Sequence, residues 1–187
     1  MKNFLPLDRF IGRRRKRTIL SSRLFGGESL NIQQFEWVVY TYSPMLLRIA
    51  FLYLRNRAEA EDVSQEVLLS YWEKAPNFST EAARKSWLYK VTANRCRDRL
   101  RSHWISKRVE LPENLSYLPK EESDLLDALL KLDAKYRIPI HLHYYEGYSL
   151  KQISEILHLR PGTVGTRLRR GKEQLKQLLG GKNYEDL

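Results

Sequence analysis

From Ile32 to His103, apolar residues recur at helical spacing almost without a break. Phe35, Val38 and Val39 begin the pattern, and Met45, Leu46, Ile49, Ala50, Leu52 and Tyr53 continue it. Between them Ser43-Pro44 reads as a cap followed by a first-turn proline, so a new helix is expected to start there. A further helix is expected over residues 58–74, then a loop over 76–80, then a helix starting at 81 or 86 and ending at 101. The helical period lapses over residues 104–123, where Pro112, Asn114, Ser116 and Pro119 mark a linker.

Beyond the linker, Leu125, Leu126, Leu129, Leu130 and Leu132 form one more apolar stripe. Asp133 is placed to cap the helix that follows, which runs from Tyr136 and is ended by Gly147. Pro139 sits too deep in it to be neutral and predicts a bend or a late start. Ser149 and Gln152 have the spacing of a capping box, and Ile153, Ile156 and Leu157 give the next helix its buried face. A turn at His158-Leu159-Arg160 leads to Pro161, which suits a first helical turn, and Val164, Leu168 and Leu175 are the core side of the last helix. This pair is a helix-turn-helix.

The expected fold is therefore all-α. Two small helical domains are joined by a flexible linker, with a basic extension over residues 1–31, a first domain over 32–103, the linker over 104–123 and the helix-turn-helix domain over 124–187.

Charge narrows the function. The 187 residues carry 33 Lys plus Arg against 22 Asp plus Glu, a formal +11, which favours a polyanionic partner. Residues 1–30 supply eight basic and two acidic side chains, so most of the excess lies in that extension and the folded part is only moderately basic. Cys96 is the sole cysteine, which excludes an internal disulfide and a Cys-based zinc site and suits a reducing cytoplasm. His141 and His143 are two apart on a helix and point in different directions, so no metal is expected. No apolar run is expected to approach the length that crosses a bilayer, and no secretion signal is read.

Three faces carry the chemistry. On the helix containing DVSQEVLLSYW, Asp62, Gln65, Glu66 and Leu69 cluster on one side while Val63, Val67, Leu68, Tyr71 and Trp72 form the other. Phosphates repel an acidic patch, so this one is a candidate protein-binding face. Within WLYKVTANRCRDRLR, Lys90, Asn94, Arg97 and Arg101 follow spacings of four, three and four and make one basic stripe able to track a nucleic-acid backbone. Asn94 can both donate to and accept from a base edge, and Asp98 is placed to pair with it or with Arg101. On the last helix Thr163, Thr166, Arg167, Arg169, Arg170 and Lys172 project from the polar side, suited to the major groove of duplex DNA.

These motifs, in this order and over residues 34–179, resemble the extracytoplasmic-function (ECF) group of bacterial RNA polymerase sigma factors. The resemblance implies that the first domain binds the promoter −10 element and the second the −35 element. It implies that Asp62, Gln65 and Glu66 dock on the clamp of the largest polymerase subunit, with the flap as a further contact, and that Asn94 helps accept a flipped base whose choice is shaped by residues 77–86. An anti-sigma factor covering the polymerase-binding surfaces is implied as a partner, and no catalytic residue, cofactor or small-molecule substrate. The chain departs from the family in places: Gly165 lies where Lys or Arg is usual, Thr166 where Ser is common and His158 where a turn glycine is frequent, and the basic extension is not part of the family core. The alternative from the residues alone is a helix-turn-helix regulator that binds DNA without polymerase.

Overall fold

The computed structural model describes residues 32–74, 77–105 and 120–179. All regular structure among them is helical: α1 (Ile32–Leu54), α2 (Arg57–Lys74), α3 (Glu81–Ile105), α4 (Lys120–Lys131), α5 (Ala134–Ile140), α6 (Leu150–Leu157) and α7 (Pro161–Leu178). The basic extension and most of the linker lie outside the described residues. Described helix reaches Ile105 and resumes at Lys120, within the bounds expected for the linker.

Helix α1 runs straight through Pro44 and does not restart there. A mid-helix proline costs about 3 kcal/mol. It is tolerated because Phe35, Val38, Val39 and Tyr42 before it and Leu46, Ile49, Ala50, Leu52 and Tyr53 after it are all buried in the same core. Over its 23 residues α1 is long and apolar enough to cross a membrane by length and composition, contrary to expectation. Its apolar face packs instead on α2 and α3. Arg55, at φ 55°, turns the chain sharply after α1, and Asn56 accepts from the Glu59 amide to cap α2. Thr80 caps α3 in the same way through the Ala83 amide.

In the second domain α5 and α6 both pack on α7. Pro139 leaves α5 intact, but two residues later the chain widens into a π-helical turn, His141–Tyr145, whose end is marked by the Glu146 amide bonding five residues back to the His141 carbonyl. Gly147, at φ 73°, then releases the chain. Asp133 occupies the cap position of α5 without bonding an amide; its carboxylate pairs with Lys135 Nζ at 3.0 Å. Gly171 lets α7 approach α5 closely, since a Cβ there would stand 2.7 Å from Ile140 Cδ1 and 3.1 Å from Tyr136 Cβ. The two domains touch, with α1 against α5 and α3 against α6.

Candidate protein and nucleic-acid interfaces

On α2, Val63, Val67, Leu68 and Tyr71 are buried, so the opposite face is set outward by packing. Asp62 is exposed, and Gln65, Glu66 and Leu69 are half-buried beside it. The Glu66 carboxylate is not free. It accepts from Arg95 at 2.9 Å and from Arg99 at 2.6 Å, both on α3. Arg99 also bonds Glu59, and Arg95 reaches Ser70 Oγ at 2.6 Å. Although burial opposes the charge on Arg99, its bonds to Glu59 and Glu66 keep its pKa above the ordinary value. Glu66 therefore braces α2 to α3, and Asp62 with Gln65 forms the more accessible end of the patch.

Along α3, Lys90, Asn94 and Arg97 are half-buried and Arg101 is exposed. Arg97 orders the middle of this stripe. Its Nη2 donates to Asn94 Oδ1 at 2.5 Å, its Nε to the Ala93 carbonyl at 3.1 Å, and its Nη1 to the Leu157 carbonyl of α6 at 3.2 Å. The partner of Asn94 is thus Arg97, not Asp98, which is exposed. With its oxygen occupied, Asn94 presents mainly its two N–H donors. Trp87 is packing material as its position suggests: it meets Tyr71 edge-on at 5.9 Å and Phe78 at 5.8 Å. Phe78 also stacks on Tyr71 at 6.2 Å, which fixes residues 77–80 against both helices. Residues 81–86 belong to α3 itself and not to a loop.

The helix-turn-helix forms as its local signals dictate. The Ser149 amide donates to Gln152 Oε1 at 2.9 Å and the Gln152 amide to Ser149 Oγ at 3.3 Å, completing the capping box. His158 takes the left-handed conformation at φ 52°, a position that favours glycine. Thr163, Thr166, Arg167 and Arg170 line one open concavity of about 480 Å³ together with Gly162 and with Lys135 and Tyr136 of α5. Lys135 was not evident from the sequence, since nothing local links α5 to α7. Arg169 lies apart and pairs with Glu173 on its own helix at 2.9 Å, and Lys172 stands 5.7 Å over the Tyr144 ring. Thr166 Oγ1 bonds back to the Gly162 carbonyl at 2.9 Å. Among the described residues no cluster of His, Cys, Asp or Glu could hold a metal.

Comparison with known proteins matches both domains. Residues 38–105 fit the Sigma-70 region 2 family and residues 122–175 the Sigma-70 region 4 family. The chain is 30% identical over 165 residues to the ECF RNA polymerase sigma factor SigW of Bacillus subtilis (strain 168), covering 78% of this chain and 88% of that one. It is 29% identical over 151 residues to the ECF RNA polymerase sigma factor SigM of Mycobacterium tuberculosis (strain ATCC 25618 / H37Rv), covering 78% and 77%. In fold it resembles the sigma factor RpoE in the co-crystal with the anti-sigma factor NepR from Bartonella quintana, at a TM-score of 0.68 and 23% identity over 81% of this chain and 100% of that one.

Proposed function

This chain belongs to the ECF RNA polymerase sigma factors, and we propose that it binds RNA polymerase core through α2, the −10 element through α3 and the −35 element through α7. Its function is promoter-specific initiation of transcription. The observation that carries the assignment of surfaces is the division of labour inside the first domain. An acidic face headed by Asp62 and Gln65 looks away from the core, and a basic stripe with an amide at its centre lies on the neighbouring helix. A protein that must hold a polymerase and a promoter at once needs both signs of charge on separate faces. A DNA-binding regulator working without polymerase has no use for the first.

The three roles follow from chemistry. Asp62, Gln65 and Leu69 offer a carboxylate, an amide and an apolar contact to the clamp of the largest polymerase subunit, while Glu66 holds their helix in place. Lys90, Arg97 and Arg101 grip phosphates of the separated strand, and Asn94 bonds one base. Taking a base out of the stack costs a few kcal/mol, which directed hydrogen bonds and phosphate contacts in such a groove offset. On α7, Arg167 and Arg170 share one groove-facing concavity with Thr163 and Thr166, and Lys135 adds a charge at its rim. Arg169 and Lys172, turned to the flank, contribute to phosphate binding only. The protein acts in the cytoplasm, with no catalytic residue and no small-molecule substrate, and an anti-sigma factor covers its polymerase-binding faces when it is held inactive.

The test is binding to core polymerase of the full chain carrying Asp62→Lys with Gln65→Ala. Glu66 stays untouched because replacing it would strand Arg95 and Arg99. At least a tenfold loss of core affinity at unchanged helix content is expected. Wild-type affinity in the folded variant rules this face out.

A further inference from the structure

The start of α1 carries a tryptophan that the core does not use. Phe35 turns inward and meets Trp72 of α2 at 4.8 Å, so Trp37, about 200° further round the helix, points away from that contact. It is 47% exposed. Tryptophan is on average a strongly buried residue, and one left half in water on a rigid helix marks a surface with something to hold. Its neighbours say what kind of surface this is. The Arg84 guanidinium of α3 lies over the Trp37 ring at 5.4 Å from its centre and over the Phe78 ring at 6.0 Å. The Tyr42 ring meets Trp37 edge-on at 5.9 Å.

Arg84 is used there for its flat face. Its Nη1 donates to Glu81 Oε2 at 2.6 Å, while its Nε has no hydrogen-bond partner. An arginine placed for ion pairing would engage its carboxylate with two nitrogens. This one lies instead against two rings, where cation–π attraction holds it. Glu81 also accepts from the Tyr42 hydroxyl, so its charge is met by a cation and a donor and does not repel a phosphate as a free carboxylate would. Trp37, Arg84 and Phe78 thus make one row of π faces from α1 to residues 77–80. The row continues into the −10 stripe, because Arg84 precedes Asn94 on the same helix by about 15 Å of axis, the span of a few nucleotides.

We propose that Trp37, backed by Arg84, is a stacking site for a second unpaired base of the strand that Asn94 reads, extending the −10 surface from α3 onto α1. This rests on the reading of α3 as the −10 binder. The occupant follows from chemistry. A nucleobase offers a flat π face and its sugar carries a phosphate, and a tryptophan ring beside a guanidinium suits both. The ring also points away from its helix's contact with α2, whose outward face is the polymerase-binding one. Stacking uses no hydrogen bond to a base edge, so this contact is tolerant of sequence. Asn94 reads a base, and Trp37 holds one.

The experiment uses the full chain assembled with core polymerase. The probe is a single strand carrying the −10 element, taken from DNA that this holoenzyme selects out of a random pool, with each base removed in turn to leave an abasic sugar. Trp37→Ala alters a half-exposed side chain, so helix content and core affinity should match the wild type, while affinity for the intact strand should fall about tenfold. At one abasic position the wild type should lose that same factor and Trp37→Ala nothing more. Exchanging the base there for any other should matter little, and Trp37→Phe should keep most of the affinity. Asn94→Ala should cancel at a different position, one where the identity of the base does matter. Unchanged affinity of Trp37→Ala for the intact strand overturns the proposal, as does a loss that persists on every abasic strand. Reduced core affinity overturns it too, and assigns Trp37 to the polymerase interface. If Asn94→Ala cancels at no position, the reading of α3 fails, and Trp37 is judged on its own cancelling position.

Discussion

The interior of the first domain and the border between the domains are held by different means. Inside, α1, α2 and α3 meet through Leu46, Ala60, Val63, Val67 and Leu88, all fully buried and all apolar. At the border, beside an edge-on contact of the Tyr89 and Tyr148 rings, the directed contacts are the Arg137 guanidinium on the Leu52, Leu130 and Leu132 carbonyls, the Lys85 ammonium on the Glu146 carboxylate and the Arg48 guanidinium on the Tyr145 hydroxyl. Apolar burial cannot be exchanged for water without loss, whereas polar groups freed at a border are met by water. The first kind of contact is lost only with the fold, whereas the second can be exchanged for water.

The sharpest way to break this comparison is Arg137→Ala, because Arg137, though charged, is as buried as the core. Its removal strands three carbonyls and leaves a cavity, and a loss of about 3–5 kcal/mol in denaturant unfolding is expected. Arg137→Lys should recover only part, since an ammonium cannot span carbonyls from two helix ends in the guanidinium's fixed fork. A cost below about 1 kcal/mol would mean that the bridge is not structural.

Next comes a direct contrast of the two regions. Leu46→Ala, at a position with 0% exposure, should cost about 2–5 kcal/mol. Lys85→Ala, at the border, should cost about 1 kcal/mol or less in global unfolding. Equal costs for the two would erase the distinction.

How much of this was legible in the sequence depends on the range of the interaction. The capping box of Ser149 and Gln152, the strained turn at His158 and the buried face of α2 are fixed by residues within a turn or two of each other, and they stand as read. Pro44 misled because a local breaker was outweighed by core contacts on both sides of it. Asp98 was placed by spacing to pair with Asn94 or Arg101, yet Arg97, three residues from Asn94 on the same face, is the partner that Asn94 takes, a choice that spacing alone cannot make. Glu66 was read as wholly outward because Arg95, its partner 29 residues on, approaches only after α2 and α3 pack. Lys135 at the recognition concavity, and the whole border, depend on tertiary approach and leave no periodic trace.

A smaller effect, with opposite signs, separates two glycines of α7. Gly171→Ala would force a Cβ to 3.1 Å from Tyr136 Cβ, an atom rooted in the α5 backbone, and should destabilise by about 1–2 kcal/mol despite the better helix propensity of alanine. At Gly165 the nearest atom to a new Cβ is Leu150 Cδ2 at 3.5 Å, an ordinary contact. Gly165→Ala should therefore stabilise by about 0.5–1 kcal/mol, as read by thermal unfolding. The same residue type is a packing requirement at one position and a departure with no steric cause at the other. Matching signs in the two variants would contradict that assignment.

The smallest effect near neutral pH concerns Glu146, whose carboxyl is set by the border. Burial alone pushes its pKa up, but His141, Tyr89 and Lys85 outweigh it and hold the value at about 2, below the ordinary 4.5. The groups facing it are Lys85 and Tyr89 from α3 and His141 from its own segment, with Tyr148 adjacent and itself raised to about 12 by burial and the Glu146 charge. A depressed carboxylate stabilises the folded arrangement fully above its unfolded value, and that contribution is lost as pH falls through the folded one. The Glu146 contribution to stability should thus be complete at pH 7, begin to fail below about 4.5 and vanish near 2. Denaturant unfolding followed from pH 7 downwards should show the wild type losing stability in this window. Glu146→Gln should already be less stable at pH 7 and lose the Glu146-dependent part of the acid response. An identical acid dependence in both proteins would place the titrating group elsewhere.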